Sequence, residues 1–129
     1  MQFRLRTSGQ TANILKELQS KTKLTPNILA RLAISMSLLD PTPIDATPLE
    51  NPNGVEFNRH TLTGSHDLIY KIMLSQHAGR HLTDEEYFPT YFNSHLDRGA
   101  PKLKNECDYA GNAEKFLVTL SKLSELNPQ

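Results

Sequence analysis

Apolar and polar positions alternate at the start of the chain. Phe3-Arg4-Leu5-Arg6 has period two, which predicts a short strand with one face buried. The spacing then becomes helical: Ile14, Leu15 and Leu18 share one stripe of a helix from about Gln10 to Lys21. Thr22-Lys23-Leu24 makes a turn. Thr25 is placed to cap a second helix opening with Pro26, where a missing N–H costs nothing. That helix, Pro26 to about Leu39, is apolar around most of its circumference. Ile28, Leu29, Leu32, Ala33 and Met36 form one stripe, Ala30, Ile34 and Leu38 a second, and only Asn27, Arg31 and Ser35 leave a polar strip. Such a helix needs cover on several sides, and in a chain of 129 residues another subunit is the expected cover.

Asp40 to Asn53 holds four prolines (41, 43, 48 and 52) and predicts an extended connector pinned to the surface through Ile44 and Leu49. Gly54 to Gly64, with Val55, Phe57 and Leu62, reads as a short strand or an irregular loop. Ser65 to about Gln76 predicts a helix with Leu68, Ile69, Ile72 and Met73 inward. Thr83 and Glu86 form a capping box, with Asp84 and Glu85 at the positive end of the helix it starts. Pro89 is expected to kink or restart that helix, and Gly99 with Pro101 to end it. Tyr87, Phe88, Tyr91 and Phe92 have helical spacing in an acidic stretch, which assigns them to the core rather than to a base-stacking platform. Asn112 caps a last helix carrying Phe116, Leu117, Leu120 and Leu123. The expected fold is mainly α, one domain over residues 1–129. It divides into a basic strand–helix–helix part (1–39), the Pro-rich connector (40–53) and a helical remainder (54–129).

A net charge of zero conceals an asymmetry. Through Leu39 the chain carries Arg4, Arg6, Lys16, Lys21, Lys23 and Arg31 against the single acid Glu17; the rest carries eight basic and thirteen acidic groups. A basic segment of this density presents a local positive field to phosphates and predicts DNA binding. Chemistry has less footing. His77 and His81 are four apart, but Gly79 stands between them and no further ligand follows at metal-site spacing; His60, His66 and His95 are scattered. Cys107 is flanked by Glu106 and Asp108, whose charges disfavour a thiolate despite Lys102 and Lys104 nearby. There is no Gly-rich phosphate loop and no local signature of a Ser/His/Asp set. The expectation is a protein that is not an enzyme, with no cofactor and no metal. No apolar run has membrane-spanning length, Met1 to Arg6 lacks a secretory pattern, and the lone cysteine fits a reducing, cytoplasmic setting.

Three stretches in order carry a resemblance. Phe3-Arg4-Leu5-Arg6 leads through a helix to Leu24-Thr25-Pro26-Asn27-Ile28-Leu29-Ala30-Arg31-Leu32-Ala33. Gly54-Val55-Glu56-Phe57-Asn58-Arg59-His60-Thr61-Leu62-Thr63-Gly64 follows, and then His95-Leu96-Asp97-Arg98-Gly99. From about Phe3 to Leu103 the chain resembles the DndE family of the bacterial DNA phosphorothioation (DNA sulfur modification) system. The resemblance implies a homotetramer that binds double-stranded DNA, preferably nicked, through surface lysines and has no established catalytic activity. It also implies work beside other DNA sulfur-modification proteins: a cysteine desulfurase, an iron–sulfur protein and an ATPase-like component. The contact role passes to Lys16, Lys21 and Lys23, with Arg4 and Arg6 behind them, whereas Arg31, Arg59 and Arg98 suit structural hydrogen bonding. The N-terminal pattern also resembles the ribbon-helix-helix fold, in which strands pair across a dimer and their alternate side chains read the major groove. That makes a sequence-specific transcriptional regulator the alternative, and a scaffold for modification-complex partners a third reading.

Overall fold

The computed structural model describes the backbone of residues 3–126 and the side chains of residues 3–121, Ala113 excepted. Strand β1 (Arg4–Arg6) is followed by α1 (Gly9–Thr22) and α2 (Pro26–Leu38). After the extended connector come β2 (Glu56–Asn58), the short helix α3 (Arg59–Thr63) and α4 (Asp67–Ala78). A π-helical segment, Glu86–Tyr91, leads into α5 (Phe92–Ala110), and α6 (Ala113–Leu126) closes the described chain. The mainly α expectation holds. No helix among the described residues is long and apolar enough to cross a membrane.

Local signals place most helix starts. Ser8 Oγ accepts from Thr11 N–H and opens α1, which Lys23 closes in the left-handed region at φ 65°. Thr25 caps α2 with Pro26 in the first turn. Thr83 and Glu86 bond reciprocally as a capping box, at 3.0 and 3.2 Å. Helical geometry breaks at Phe88 (φ −134°, ψ 120°), the residue Pro89 forces toward extended backbone, and resumes beyond it. Asn112 Oδ1 accepts from Lys115 N–H at 2.9 Å and starts α6. There Phe116 is buried and Leu117 exposed, while Leu123 lies outside the described side chains.

The strand–helix–helix order is as expected, but β1 finds its partner in its own chain. It pairs antiparallel with β2, Arg4 opposite Asn58, Leu5 opposite Phe57 and Arg6 opposite Glu56. Leu5 and Phe57 face the core, which turns Arg4 and Arg6 outward. Along the other edge Asn93 Nδ2 donates to Arg6 O, and prolines of the connector line the same cavity as the strand. A side chain thus takes the Arg6 carbonyl that a second strand would need, and the prolines beside it offer no N–H to a ladder.

Two expectations about α5 and α4 are corrected, and a third, the cover of α2, below. Gly99 and Pro101 do not end a helix; α5 runs through both to Ala110, and Gly111 (φ 86°) is the residue that stops it. Gly99 is where α5 crosses α2: a β-carbon there would lie well inside van der Waals contact of the Ala33 carbonyl oxygen. The helix α4 also faces the other way. Leu68, Ile69 and Ile72 are 67, 51 and 55% exposed, and Leu74 is buried instead. The reason is polar. Asp67 at the start of α4 receives Arg59 Nε and Nη2 at 3.0 and 2.8 Å and Tyr87 OH at 3.0 Å. That turns the face of Asp67, Tyr70, Leu74 and Ala78 inward, where Tyr70 and Ala78 pack on the core and Leu74 joins it. Arg59, 4% exposed, also reaches Asp84 at 2.9 and 2.7 Å and lies over the Tyr87 and Phe88 rings, as a structural role predicts. Tyr87, Phe88 and Phe92 are fully buried around it, as core.

The segment His95–Gly99 fans out from α5 to the rest of the N-terminal half. Ser37 Oγ lies 2.7 Å from His95 Nδ1 and accepts from Arg98 Nε at 2.9 Å. Arg98 also donates to the carbonyls of Ser37, Asp40 and Thr42. His77 Nε2 donates to Asp40 O at 2.7 Å, so the head of the connector is fixed from two helices. Asp97 Oδ1 receives both Ser8 Oγ (2.8 Å) and Thr11 Oγ1 (2.6 Å), anchoring the start of α1. Arg31 donates to the carbonyls of Leu62 and Thr61, tying α2 to α3. Both stripes of α2 are thereby covered within the chain, chiefly by α5 with α1 and α3; Ile28 stays 39% exposed.

Gly99→Ala is expected to lower the unfolding free energy by about 1–3 kcal/mol, the usual cost of overpacking, because neither backbone can yield. Denaturant unfolding of the two proteins measures it. Burial, with the nearby charges of His77 and Arg98, holds the His95 imidazole neutral with its pKa lowered to about 3. Unfolded, it takes a proton near its ordinary value of about 6.5. Between those values the unfolded chain carries the extra proton, so stability falls as pH falls, by about 2 kcal/mol from pH 7 to pH 5. Comparing chemical melts at the two pH values in wild type and His95→Gln checks this, since the substitution removes that share of the difference.

Candidate nucleic-acid interface

The residues expected to meet DNA lie on two exposed elements, the outer face of β1 and the second half of α1 with its cap. Arg4 and Arg6 sit two apart on the strand, with side chains 71 and 47% exposed. Lys16 is exposed on α1, Lys21 lies in its last turn, and Lys23 is the exposed cap. Two lysines at a helix C-terminus also suit the negative end of its dipole.

Folding brings acids back onto this segment. Lys21 Nζ lies 3.1 Å from Asp108 Oδ1 and 3.3 Å from Glu17 Oε1. Lys104 Nζ approaches the same two carboxylates at 2.6 and 3.7 Å. The hydrogen bonds to Asp108 hold both ammonium groups above the ordinary lysine value, and Lys104, then Lys21, holds Asp108 below the usual carboxylate range. Glu56, opposite Arg6 in the ladder, stands 3.8 Å from Arg4 and 3.7 Å from Arg6, and Arg6 also donates to Gly54 O at 2.8 Å. Lys16 and Lys23 have no ion pair among the described residues. With Arg31 engaged by the α3 carbonyls, the rest of the basic segment resolves into two lysines without an ion pair among the described residues, one lysine shared with acids and two arginines that flank a glutamate. That Lys104, Asp108 and Glu56 join this surface had no local signal, because they lie far from the basic segment along the chain.

The other candidates for chemistry have structural surroundings. α4 ends at Ala78, which separates His77 from His81, and His77 is engaged with Asp40 O. Among the described residues no group of three or more His, Cys, Asp or Glu is placed to hold a metal ion. Cys107 is 4% exposed on α5, and burial pushes its thiol above the ordinary value.

Residues 4–110 match the family model of the DNA sulphur modification protein DndE. The chain belongs to the DndE family. No curated protein sequence matches it. This DndE-family chain is similar in structure to DndE from Escherichia coli B7A, described as involved in DNA phosphorothioation modification. The TM-score is 0.62 at 25% identity, covering 80% of this chain and 98% of that one. A DndE G21/24K mutant, described as involved in DNA phosphorothioation, shares the fold at a TM-score of 0.61 and 24% identity, covering 81% of this chain and 99% of its own. The matched segment takes in both strands, the candidate lysines and the His95–Gly99 fan, and ends with α5; α6 lies beyond it.

Proposed function

We propose that this DndE-family chain is a non-catalytic, DNA-binding component of the DNA phosphorothioation machinery. It contacts duplex DNA, preferentially nicked, through Lys16 and Lys23, with Lys21, Arg4 and Arg6 in support. The observation that carries the reading is the exposed lysine end of α1, with no ion pair at Lys16 and Lys23 among the described residues, in a chain of this family. Lysines of this kind read phosphate rather than sequence. The regulator reading draws less support, because β1 is paired within the chain and cannot also form a two-chain ribbon along that edge.

Each unit is proposed to be a subunit of a homotetramer. The surface that supports this is α4 rather than the all-round apolar α2. Leu68, Ile69 and Ile72 present a continuous apolar row to solvent at helical spacing, a liability that a second copy removes. If the chain stays monomeric at micromolar concentration, that row is left for another protein and the scaffold reading gains.

Affinity for nicked, intact and single-stranded DNA at fixed salt is the direct test, and binding is expected to fall steeply as salt rises. The double change Lys16→Ala, Lys23→Ala is expected to weaken binding to all sequences alike and to lower the slope of log K against log salt by about two. Asp108→Asn, which releases Lys21 and Lys104, strengthens it. No change of affinity in the double variant would remove these lysines from the interface.

Ile69→Glu is expected to reduce the particle mass measured by light scattering while leaving the helical circular-dichroism signal intact. An unchanged mass would exclude α4 as the contact.

A further inference from the structure

The turn between the last two helices is very short. α5 ends at Ala110, α6 begins at Ala113, and Gly111 and Asn112 alone lie between them. The reversal depends on Gly111, whose φ of 86° is left-handed. A β-carbon there would meet no atom within 4 Å, so the constraint is one of backbone conformation and not of space. Asn112 restarts the helix: its carbonyl accepts from Phe116 N–H at 3.0 Å and its Oδ1 from Lys115 N–H at 2.9 Å. Beyond the turn α6 is held by apolar packing. It lies on α5, with Phe116 fully buried and Leu120 packed on the core. Among the described residues no hydrogen bond or ion pair joins α6 to anything but itself and Asn112. It also lies outside the segment 4–110 that matches the family.

A helix joined by a tight glycine turn and held by apolar contacts is free to change hosts. If Gly111 takes right-handed helical angles, α5 and α6 become one helix from Phe92 to Leu126. The N–H groups that begin α6 then bond the carbonyls that end α5, groups that the turn leaves mostly to caps and water. The cost is exposure of Phe116 and Leu120, and a second copy removes it, because its α5 offers the same site that α6 already fits. We infer that α6 is exchanged between two copies of this chain, each laying its α6 on the α5 of the other. This rests on the tetramer reading above and deepens it. An α4 row that meets its own copy about a two-fold closes a dimer, and a tetramer built from such contacts needs a second, different one. The exchange supplies it. It also bears on the basic surface, because Gly111 and Asn112 line the same cavity as Lys21. The two hinges of an exchanged pair lie near each other about the two-fold, which brings the lysine ends of two α1 helices to one side of the assembly.

The test weighs the full chain by light scattering over a range of concentrations, with the α4 contact removed by Ile69→Glu. The exchange leaves that variant a dimer. Gly111→Ala in the same background disfavours the left-handed turn and favours the straight helix. It is expected to lower the concentration at which the dimer forms by on the order of a hundredfold. An insertion of about six Gly and Ser residues between Gly111 and Asn112 lets α6 fold back on its own chain without the tight turn, and is expected to give a monomer. A retained helical circular-dichroism signal confirms that each variant is folded. Opposite responses to two changes in the hinge separate exchange from side-by-side packing of α6, which is indifferent to both. A dimer that neither change affects, or a monomer in Ile69→Glu with and without Gly111→Ala at every concentration, overturns the exchange. A wild type of two chains whose mass Ile69→Glu leaves unaltered, with both hinge responses present, removes the α4 contact and supports the exchange.

Discussion

Between Gly99 and the Ala33 carbonyl there is no room for a β-carbon, and the arrangement of the N-terminal half follows from that contact. Two helices that touch backbone to backbone bring the side chains beside the contact within reach of partners that a wider crossing would put out of range. Arg98 reaches over the end of α2 to three carbonyls, and His95 meets Ser37 inside the crossing. Asp97, on the opposite side of α5, takes the two hydroxyls that begin α1. The direction of α1, and therefore the position of Lys16 and Lys23, is fixed from α5 across more than eighty residues of sequence.

What was legible in the sequence was what depends on neighbours a few residues away. Thr25 before Pro26, the Thr83–Glu86 box and Asn112 each satisfy orphan N–H groups within one turn, so residue type and spacing suffice to find them. The face of α4 was not legible for the opposite reason. Its orientation is decided by Asp67, a charged residue that is drawn inward because Arg59 waits there with two carboxylates to satisfy its donors. A hydrophobic pattern assigns the inside to the apolar side of a helix; here one ion-pair network outweighs three apolar side chains. Gly99 and Pro101 misled in a related way. As punctuation they end helices, yet a glycine in a close crossing is selected by its neighbour's backbone, which no local window contains.

Charge shows the same limit with a consequence for function. Along the sequence the first 39 residues are strongly basic, but on the surface Glu56 and Asp108 stand among those bases, joined to them by a strand ladder and by the packing of α1 on α5. Among the described residues, the lysines left without an ion pair are Lys16 and Lys23. On the DNA-binding reading two such lysines release about two counterions per chain, which makes for weak binding by one subunit. Weak, sequence-blind contacts become useful when repeated in a fixed geometry, since later contacts are then made at high effective concentration. The exposed row on α4 is the surface able to impose that repetition, and it lies on a different element from the lysines, so burying it leaves them free. On the proposed function, DNA affinity and self-association are therefore coupled: a substitution on α4 that touches no basic residue is expected to weaken DNA binding by separating patches that are each too sparse to bind alone.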